Sequence, residues 1–315
     1  MISGNSKLSD WIHVAGLVLR GKQMSDLTGH VVAVTGGARG MGRAMVKGFL
    51  AEGAKVVAMD LTWDPTGFSG DNDNAFLSEL QDRQEDVLIS TVDISDATQV
   101  EKSYQATLEK FGTVDVLVNN AGLRQRNLFP PTGKITTLET EDSDWEKMFD
   151  VGVFGTLKVT RQFIKPMLEK QSGSIISVIS GGAMHTALGG AYVAQRSGSR
   201  EMPYQSAKAA TMTMMFYLAD EVQESNVAVN ILIPGNARTT GYDEQNDARR
   251  AEGQTGNRPG RISMLPEHIV PITMFLANQD ANKGLTGRCF DVPTWNMEHG
   301  LGGPEAWRDP YANRA

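Results

Sequence analysis

A glycine-rich stretch between an apolar strand pattern and an amphipathic helix pattern constrains the fold of this chain most. Residues 35–42 read Thr-Gly-Gly-Ala-Arg-Gly-Met-Gly and follow a β-branched apolar run at residues 30–34. Apolar side chains then recur at helical spacing as far as Leu50, and Gly53 stands where a helix would end. A strand, a glycine turn and a helix in this order predict a dinucleotide site, because the free N–H groups at the helix start face phosphates.

An acidic residue downstream strengthens this interpretation. A second apolar strand pattern at residues 55–59 ends in Asp60, which lies 18 residues after Gly42. A carboxylate about 20 residues after the turn accepts the ribose hydroxyls of NAD and repels the 2′-phosphate of NADP. Arg39 is a counter-signal, because a basic residue in the turn can attract that phosphate. The pattern predicts NAD as the cofactor, with NADP less favoured.

The composition limits the class of protein. The 315 residues are 40% hydrophobic and carry a net charge of −7, which supports a large core and argues against nucleic acid as a partner. The single cysteine, Cys289, excludes an intramolecular disulfide and fits a reducing compartment, so a cytoplasmic protein is expected. No apolar run approaches the roughly 20 residues of a membrane span. The apolar residues 11–19 are interpreted as a docked helix or arm, with contact to a membrane surface as the alternative.

Strand patterns alternate with helix patterns along the chain. This order predicts an α/β fold: a single doubly wound, Rossmann-type domain with a seven-stranded, mostly parallel sheet and helices on both faces. We expect an N-terminal extension at residues 1–26, an NAD-binding catalytic domain at 27–292 and a C-terminal tail at 293–315. The predicted strands are residues 30–34, 55–59, 86–92, 114–118, 173–179, 227–233 and 288–292.

Capping residues and helix breakers predict the helix boundaries. Ser95 is predicted to cap a helix that runs to Lys110, and Ser143 to cap a long helix that runs to about Lys170 with a kink at Pro166. Further helices are expected at residues 75–83, 204–222 and 266–277. The polar residues 238–261 are predicted to form a mobile lid, and residues 293–315 an irregular tail.

Tyr204 and Lys208 are the strongest candidates for catalytic chemistry. They lie four residues apart on a predicted helix and therefore share a face. An isolated tyrosine has a pKa of about 10, but a nearby ammonium group and an oxidised nicotinamide lower this pKa and favour the phenolate. Tyr204 can then accept a proton from an alcohol while hydride leaves for the nicotinamide. Ser180, at the end of the fifth strand, can hydrogen-bond the same oxygen, whereas Ser177 faces the other way.

Taken together, these signatures resemble the short-chain dehydrogenases/reductases over residues 27–292. The matching motifs are, in chain order, the glycine turn, Asn119-Asn120-Ala121-Gly122, Ser180, the pair Tyr204 and Lys208, and Pro234-Gly235 with Thr239. The resemblance implies an NAD(P)-dependent alcohol dehydrogenase or ketoreductase that interconverts a secondary alcohol and its ketone, with Ser180, Tyr204 and Lys208 as catalytic residues. It also implies that Lys208 holds the nicotinamide ribose and that the chain forms a homotetramer or homodimer.

The resemblance assigns cofactor contacts as well, and it assigns no metal. Thr239 is expected to bond the nicotinamide carboxamide, and Pro234-Gly235 to let the backbone approach the ring, although a turn leaving the sheet explains both equally well. Asn119 is expected either to touch the cofactor or to be structural. The full expected set is Gly36, Arg39, Gly40, Met41, Gly42, Asp60, Asp93, Ile94, Asn119, Ala121, Gly122, Tyr204, Lys208, Pro234, Gly235, Ala237 and Thr239.

The chain departs from the family pattern at two places. Gly152 stands seven residues after Trp145, where the family usually has an asparagine that helps to hold a water linked to the lysine. Our hypothesis is an active enzyme with a rebuilt relay, in which the peptide carbonyl keeps the function if it does most of the binding. The 24-residue gap from Ser180 to Tyr204 is longer than usual, and its extra piece is expected beside the substrate mouth or at a subunit contact.

Three further hypotheses concern turnover and the substrate. If the glycine at position 152 abolishes turnover, the protein would be a cofactor-binding scaffold or regulatory protein. Arg124 and Arg126 favour a dehydrogenase of an anionic hydroxy acid, unless they form a solvated loop face. An apolar substrate of some size, or else core and interface packing, would explain the side chains of Met184, Leu188, Trp295 and Met297.

Overall fold

The apolar runs of the sequence form seven strands in the computed structural model, which describes residues 26–63, 74–187, 201–235, 237, 239, 247–253 and 264–302. The strands are β1 Val31–Thr35, β2 Lys55–Asp60, β3 Val87–Thr91, β4 Val116–Asn119, β5 Gly173–Val178, β6 Val227–Ile233 and β7 Arg288–Asp291. They form one sheet in the order β3-β2-β1-β4-β5-β6-β7, and every neighbouring pair is parallel. The predicted fold is confirmed, with a wholly rather than a mostly parallel sheet.

Helices cover both faces of this sheet. They are α1 Gly40–Ala51, α2 Asn74–Gln81, α3 Ala97–Phe111, α4 Gln125–Leu128, α5 Asp142–Phe149, α6 Thr156–Phe163, α7 Lys165–Glu169, α8 Gly181–Ala187, α9 Tyr204–Val222, α10 Val270–Ala277 and α11 Val292–Glu298. Successive residues of β1 serve the two faces: Val32 packs in one buried cluster with Phe49 of α1, and Ala33 in the other with Phe163 of α6.

The strand order reverses at β1. The chain first builds β2 and β3 on one side of it and then crosses to β4 on the other side. The residues that follow β1 and β4 therefore diverge at the carboxyl edge of the sheet and leave a crevice between them. In open parallel sheets, ligands bind in this crevice.

The N-cap predicted at Ser95 is wrong by one residue. Asp96 is the N-cap of α3, and its carboxylate accepts hydrogen bonds from the backbone N–H groups of Thr98 and Gln99. Ser95 instead donates its hydroxyl to Asp93 Oδ1 at 2.7 Å. Both residue types cap helices well, so the packing of the turn against Asp93 decides between them.

The long helix predicted from Ser143 to Lys170 is interrupted. Glu141 rather than Ser143 is the N-cap of α5, and a π-helical segment, Asp150–Gly155, separates α5 from α6. Within that segment, the Gly152 carbonyl oxygen accepts hydroxyl hydrogen bonds from Thr156 and Thr211, each at 2.9 Å. The predicted kink at Pro166 corresponds to a break between α6 and α7, because proline is tolerated at the start of a helix and not inside it.

The prediction that residues 293–315 are irregular is wrong for the first of these residues, because Val292–Glu298 form a helix. Asp291 ends β7 and caps α11, because its carboxylate accepts the backbone N–H of Thr294 at 3.1 Å. Pro293 fits the first turn of this helix. The helix buries Trp295, whose ring stacks on His299 with 4.0 Å between the ring centroids.

Several predictions lie wholly or mostly outside the described residues. They concern the apolar residues 11–19, the extra piece at 189–201, the lid at 238–261 and the end of the tail. In the described part of the chain, none of the helices is long and apolar enough to cross a membrane.

Candidate active site

A cavity of about 330 Å³ lies at the carboxyl edge of the sheet, in the crevice between β1 and β4. Most of the site residues predicted from sequence line this cavity, although they come from distant parts of the chain. They are Gly36, Arg39, Gly40, Met41, Asp60, Asp93, Ile94, Ala121, Gly122, Tyr204, Lys208, Pro234 and Thr239. The predicted residues outside its lining are Gly42, Asn119, Ser180, Gly235 and Ala237.

The glycine turn brings backbone rather than side chains to the cavity. Gly36 and Gly40 have φ values of +68° and +50°, in the left-handed region that favours glycine. A Cβ at Gly42 would overlap the carbonyl oxygen of Gly36, so α1 can approach the turn only because this residue is glycine. The turn therefore exposes the N-terminal N–H groups of α1 to a ligand, which suits a pyrophosphate.

The two asparagines after β4 have different positions. Asn119 is buried, and its Nδ2 donates to the hydroxyls of Thr160 and Ser177, so this side chain joins the sheet to α6. Asn120 lines the cavity and donates from Nδ2 to the carbonyl oxygens of Thr35 and Gly36, each at 3.1 Å. The predicted set omitted Asn120. The sequence could have indicated Asn120, because neighbouring residues at a strand end point in opposite directions. If Asn119 points into the core, Asn120 points away from it.

Asp60 lies at the end of β2, at the far side of the cavity from α9. Its Oδ2 accepts the backbone N–H of Ala38 at 2.9 Å, which ties it to the glycine turn. Burial raises the pKa of this carboxyl, while the Ala38 N–H and the Arg39 guanidinium partly offset that rise. Arg39 itself donates to the carbonyl oxygen of Thr62 at 3.3 Å. A partly buried carboxylate beside the glycine turn fits an adenosine ribose.

Tyr204 and Lys208 come from the first turns of α9 and face the same cavity. Lys208 Nζ lies 5.9 Å from the centroid of the Tyr204 ring and donates a hydrogen bond to the Val178 carbonyl oxygen at 2.9 Å. The lysine side chain is buried, with 8% of its surface exposed. Burial, followed by the positive charge of Arg124, lowers the pKa of Lys208 to about 8.

Ser180 follows β5 in the turn that leads to α8. Its Oγ accepts the backbone N–H of Gly182 at 3.4 Å. The preceding residues Val178 and Ile179 line the cavity. Ser177, in contrast, is fully buried and bonded to Asn119, away from the lining.

Arg124 and Arg126 lie in the cavity wall rather than on a solvated loop face. Arg124 is the residue before α4, and its Nη1 donates to Thr239 Oγ1 at 2.8 Å. Burial lowers the pKa of Arg124, whereas its interaction with Tyr204 raises it and its interaction with Arg126 lowers it. The sequence indicated these arginines only through the alternative of an anionic substrate, because the contact of Arg124 with Thr239 spans 115 residues.

Three of the four apolar side chains proposed for a large apolar substrate are described, and none of these three lines the cavity. Trp295 is part of the buried core, Met184 packs against the other apolar cluster, and Met297 is 43% exposed. Leu188 lies outside the described residues. The alternative of core packing is therefore correct for Trp295 and Met184.

Comparison with known proteins agrees with this geometry. Residues 30–250 match the family model described as short chain dehydrogenase, which covers most of the chain. The chain belongs to the short-chain dehydrogenase family. This membership confirms the resemblance read from the motifs and makes the protein an oxidoreductase of the alcohol dehydrogenase/ketoreductase type. The hypothesis of a scaffold without turnover is therefore not supported.

Individual relatives span nearly the whole chain. This chain is 46% identical over 289 residues to fluoren-9-ol dehydrogenase of Terrabacter sp. (strain DBF63). The match covers 92% of this chain and 78% of that protein. The chain is 30% identical over 266 residues to a 3-oxoacyl-(acyl-carrier-protein) reductase of Chlamydia trachomatis serovar D, covering 84% and 96%. The fold is similar to that of L-sorbose reductase from Gluconobacter frateurii, complexed with NADPH and L-sorbose. This comparison has a TM-score of 0.69 at 23% identity and covers 85% and 97% of the two chains.

Proposed function

We propose that this protein interconverts a secondary alcohol and its ketone with NAD, using Tyr204 as the proton acceptor and donor. One observation carries the proposal: Tyr204 and Lys208 line the same cavity as the glycine turn and Asp60. A proton-transfer group and a dinucleotide cradle thus share one space, as hydride transfer between an alcohol and a nicotinamide requires. Fluoren-9-ol is itself a secondary alcohol, so the substrate named for the relative belongs to the proposed class.

Each proposed catalytic residue has a distinct role. A bound nicotinamide would supply the hydride chemistry, as the acceptor of hydride from the carbon that bears the hydroxyl group in oxidation and as the donor to the carbonyl carbon in reduction. Tyr204 Oη takes the hydroxyl proton in oxidation and gives it back in reduction. Lys208 holds the nicotinamide ribose and stabilises the phenolate of Tyr204. Ser180 Oγ donates a hydrogen bond to the substrate oxygen and thereby fixes its position.

Two other residues that line the cavity, Asp60 and Arg39, support NAD rather than NADP. Asp60 places a partly buried carboxylate beside the glycine turn, where it would accept the adenosine ribose hydroxyls and repel a 2′-phosphate. Arg39 would be needed to attract such a phosphate, but its guanidinium lies near Asp60 and donates to Thr62. A carboxylate at that point opposes the phosphate directly, so we infer a preference for NAD.

A narrower substrate class has its own support. Arg124 and Arg126 both line the cavity, so a substrate carboxylate could pair with them. This observation favours an anionic hydroxy acid as the second candidate substrate. The bond between Arg124 and Thr239 weighs against it, because the guanidinium already has a partner within the protein.

The proposed assembly is a homo-oligomer, a tetramer or a dimer. Three aromatic side chains on the π-helical segment and α9 are substantially exposed, namely Phe154 (49%), Phe216 (37%) and Tyr217 (69%). A second copy of the chain would bury them. Light scattering should give a mass above that of one chain, and the double variant Phe154→Asp, Tyr217→Asp should lower it. A monomeric wild-type protein would contradict the proposed assembly.

Production of NADH from a panel of secondary alcohols that includes fluoren-9-ol tests the proposed reaction. We expect alcohol-dependent turnover with NAD that falls at least a thousandfold in Tyr204→Phe, while NAD affinity stays within about threefold. Tyr217→Phe, on an exposed part of the same helix, is the matched control and should leave turnover unchanged. Equal turnover in Tyr204→Phe would refute the role of the phenol. Tight NAD binding with no alcohol-dependent NADH would refute the reaction.

A further inference from the structure

Arg124 connects two walls of the cavity at the end where Tyr204 lies. It stands two residues after Gly122, at the start of α4, and its guanidinium reaches across to the segment that follows β6. There Nη1 donates to Thr239 Oγ1 at 2.8 Å. A short helix on one side and a hydroxyl on the other thus fix the position of this cation within the cavity wall.

The charges that share the cavity are distributed unevenly. Among the described residues that line it, the charged ones are Arg39, Asp60, Asp93, Arg124, Arg126 and Lys208. Asp60 is the last residue of β2 and Asp93 follows β3, and both strands lie on the opposite side of β1 from β4 and β5. At the Tyr204 end the described lining contains cations and no carboxylate. Among the described lining residues at this end, the phenol of Tyr204 is therefore the group that can carry a negative charge beside these cations.

Arg124 interacts electrostatically with both members of the catalytic pair. It repels the ammonium form of Lys208, and its own protonated form is stabilised by a charged Tyr204. This second interaction is reciprocal, because the guanidinium favours the phenolate as much as the phenolate favours the guanidinium. Arg126 is the further cation close to Arg124.

The two cations differ in how firmly they hold their protons. The pKa of Lys208 is lowered to about 8, so this residue is substantially neutral in mildly alkaline solution and then stabilises a phenolate only weakly. Burial lowers the pKa of Arg124. Its guanidinium still keeps its charge throughout this range, because the ordinary pKa of arginine lies far above mildly alkaline pH. The positive charge of Arg124 therefore persists when that of Lys208 is lost.

We propose that Arg124 is a positioning residue that keeps a permanent positive charge beside Tyr204 and so stabilises its phenolate independently of the protonation of Lys208. The proposal rests on the role of Tyr204 in the proposed function. It separates two tasks: Arg124 provides a constant field, and Lys208 remains able to bind and release a proton. The bond to Thr239 keeps the guanidinium in place.

An ultraviolet titration of tyrosinate in the cofactor-free protein tests this proposal without using turnover. The signal of Tyr204 is isolated by subtracting the titration of Tyr204→Phe. Arg124→Met should raise the apparent pKa of Tyr204 by about one unit, a tenfold loss of phenolate at a given pH below that pKa. Arg124→Lys keeps the charge and should restore most of that loss. Arg161→Met, which removes an exposed arginine outside the cavity, is the control and should change nothing.

The outcomes separate this proposal from a structural role and from the proposed reaction. If Arg124→Met loses activity only because the contact with Thr239 is lost, turnover falls but the apparent pKa of Tyr204 does not change. This result would overturn the proposal. Equal shifts in Arg124→Met and Arg124→Lys would also overturn it, because charge would not be the cause. A shifted titration in a protein that oxidises no alcohol would keep this inference and reject the proposed function.

Discussion

Gly42 faces the carbonyl oxygen of Gly36 so closely that a Cβ at Gly42 would overlap it. The obstacle is backbone of the turn itself, which cannot move away as a flexible side chain can. The first turn of α1 and the cavity wall therefore depend on the absence of this one carbon atom. The N–H groups that would face a pyrophosphate belong to the same turn.

Gly42→Ala should therefore abolish cofactor binding. We expect the affinity for NADH to fall at least a hundredfold, together with a clear loss of thermal stability, because the turn must open to admit the methyl group. Fluorescence titration with NADH measures the affinity. Gly48→Ala on the same helix is the matched control, because its Cβ would meet side-chain atoms of Val270 and Met274. It should lower stability but keep affinity within about threefold. Equal affinities in the two variants would contradict the prediction.

Asp60→Asn should reduce the preference for NAD. The amide oxygen can still accept the Ala38 N–H, but the negative charge that favours ribose hydroxyls and repels a 2′-phosphate is gone. We expect the ratio of NAD to NADP affinity to fall at least tenfold, measured by calorimetry with both cofactors. Asp93→Asn removes a second cavity carboxylate and is the control for lost charge. A wild-type protein that binds NADP more tightly than NAD would overturn the assignment of Asp60.

Local sequence patterns predicted the strands and helices whose ends are set by residues directly beside them in the chain. The apolar run of β6, Val227–Ile233, lies between a left-handed Asn226 and Pro234, and the predicted strand matches it residue for residue. The predicted helix at 204–222 also coincides with α9, which begins directly after Pro203. The glycine turn was predictable because a strand, a turn and a helix in this order require glycine at Gly36, Gly40 and Gly42.

Contacts between distant residues produced the features that the sequence did not predict. The π-helical segment is bonded to α9, because Thr211 donates its hydroxyl to the Gly152 carbonyl oxygen across 59 residues. The position of Arg124 depends on Thr239, 115 residues away. Nothing in the local pattern of either partner indicates the other. A sequence can therefore predict where a cavity lies and leave part of its wall unassigned.

Gly152→Asn should change turnover by less than about threefold. Hydroxyl groups of Thr156 and Thr211 occupy the Gly152 carbonyl oxygen, which leaves it little capacity to hold a relay water. Asparagine at this position is therefore not expected to let the backbone carbonyl hold a relay water. Proton release would follow another route. Steady-state kinetics over a range of pH provides the measurement. Gly152→Ala is the control for the added Cβ, which would make an ordinary 3.4 Å contact with Ala207 Cβ. A large gain in turnover in Gly152→Asn would mean that the natural site is impaired.

Lys208→Met should abolish turnover and yet stabilise the cofactor-free protein at pH 7. Burial is the main cause that lowers the pKa of Lys208 from 10.5 to about 8, so the folded state holds this proton less tightly than the unfolded chain. The resulting cost is on the order of 3 kcal/mol below pH 8. Loss of the hydrogen bond to Val178 offsets about 1 kcal/mol of the gain.

The pH dependence provides the decisive measurement for this variant. Because the unfolded chain binds more protons between pH 8 and 10.5, the stability of the wild type rises with pH across this window. The advantage of Lys208→Met in thermal unfolding should therefore be constant below pH 8 and shrink above it. Lys158→Met is the control, because Lys158 also donates to a backbone carbonyl, that of Ser95 at 2.7 Å, but lies at a partly exposed position. An advantage that does not change with pH, or a variant less stable than the wild type at pH 7, would show that the buried ammonium carries no such cost.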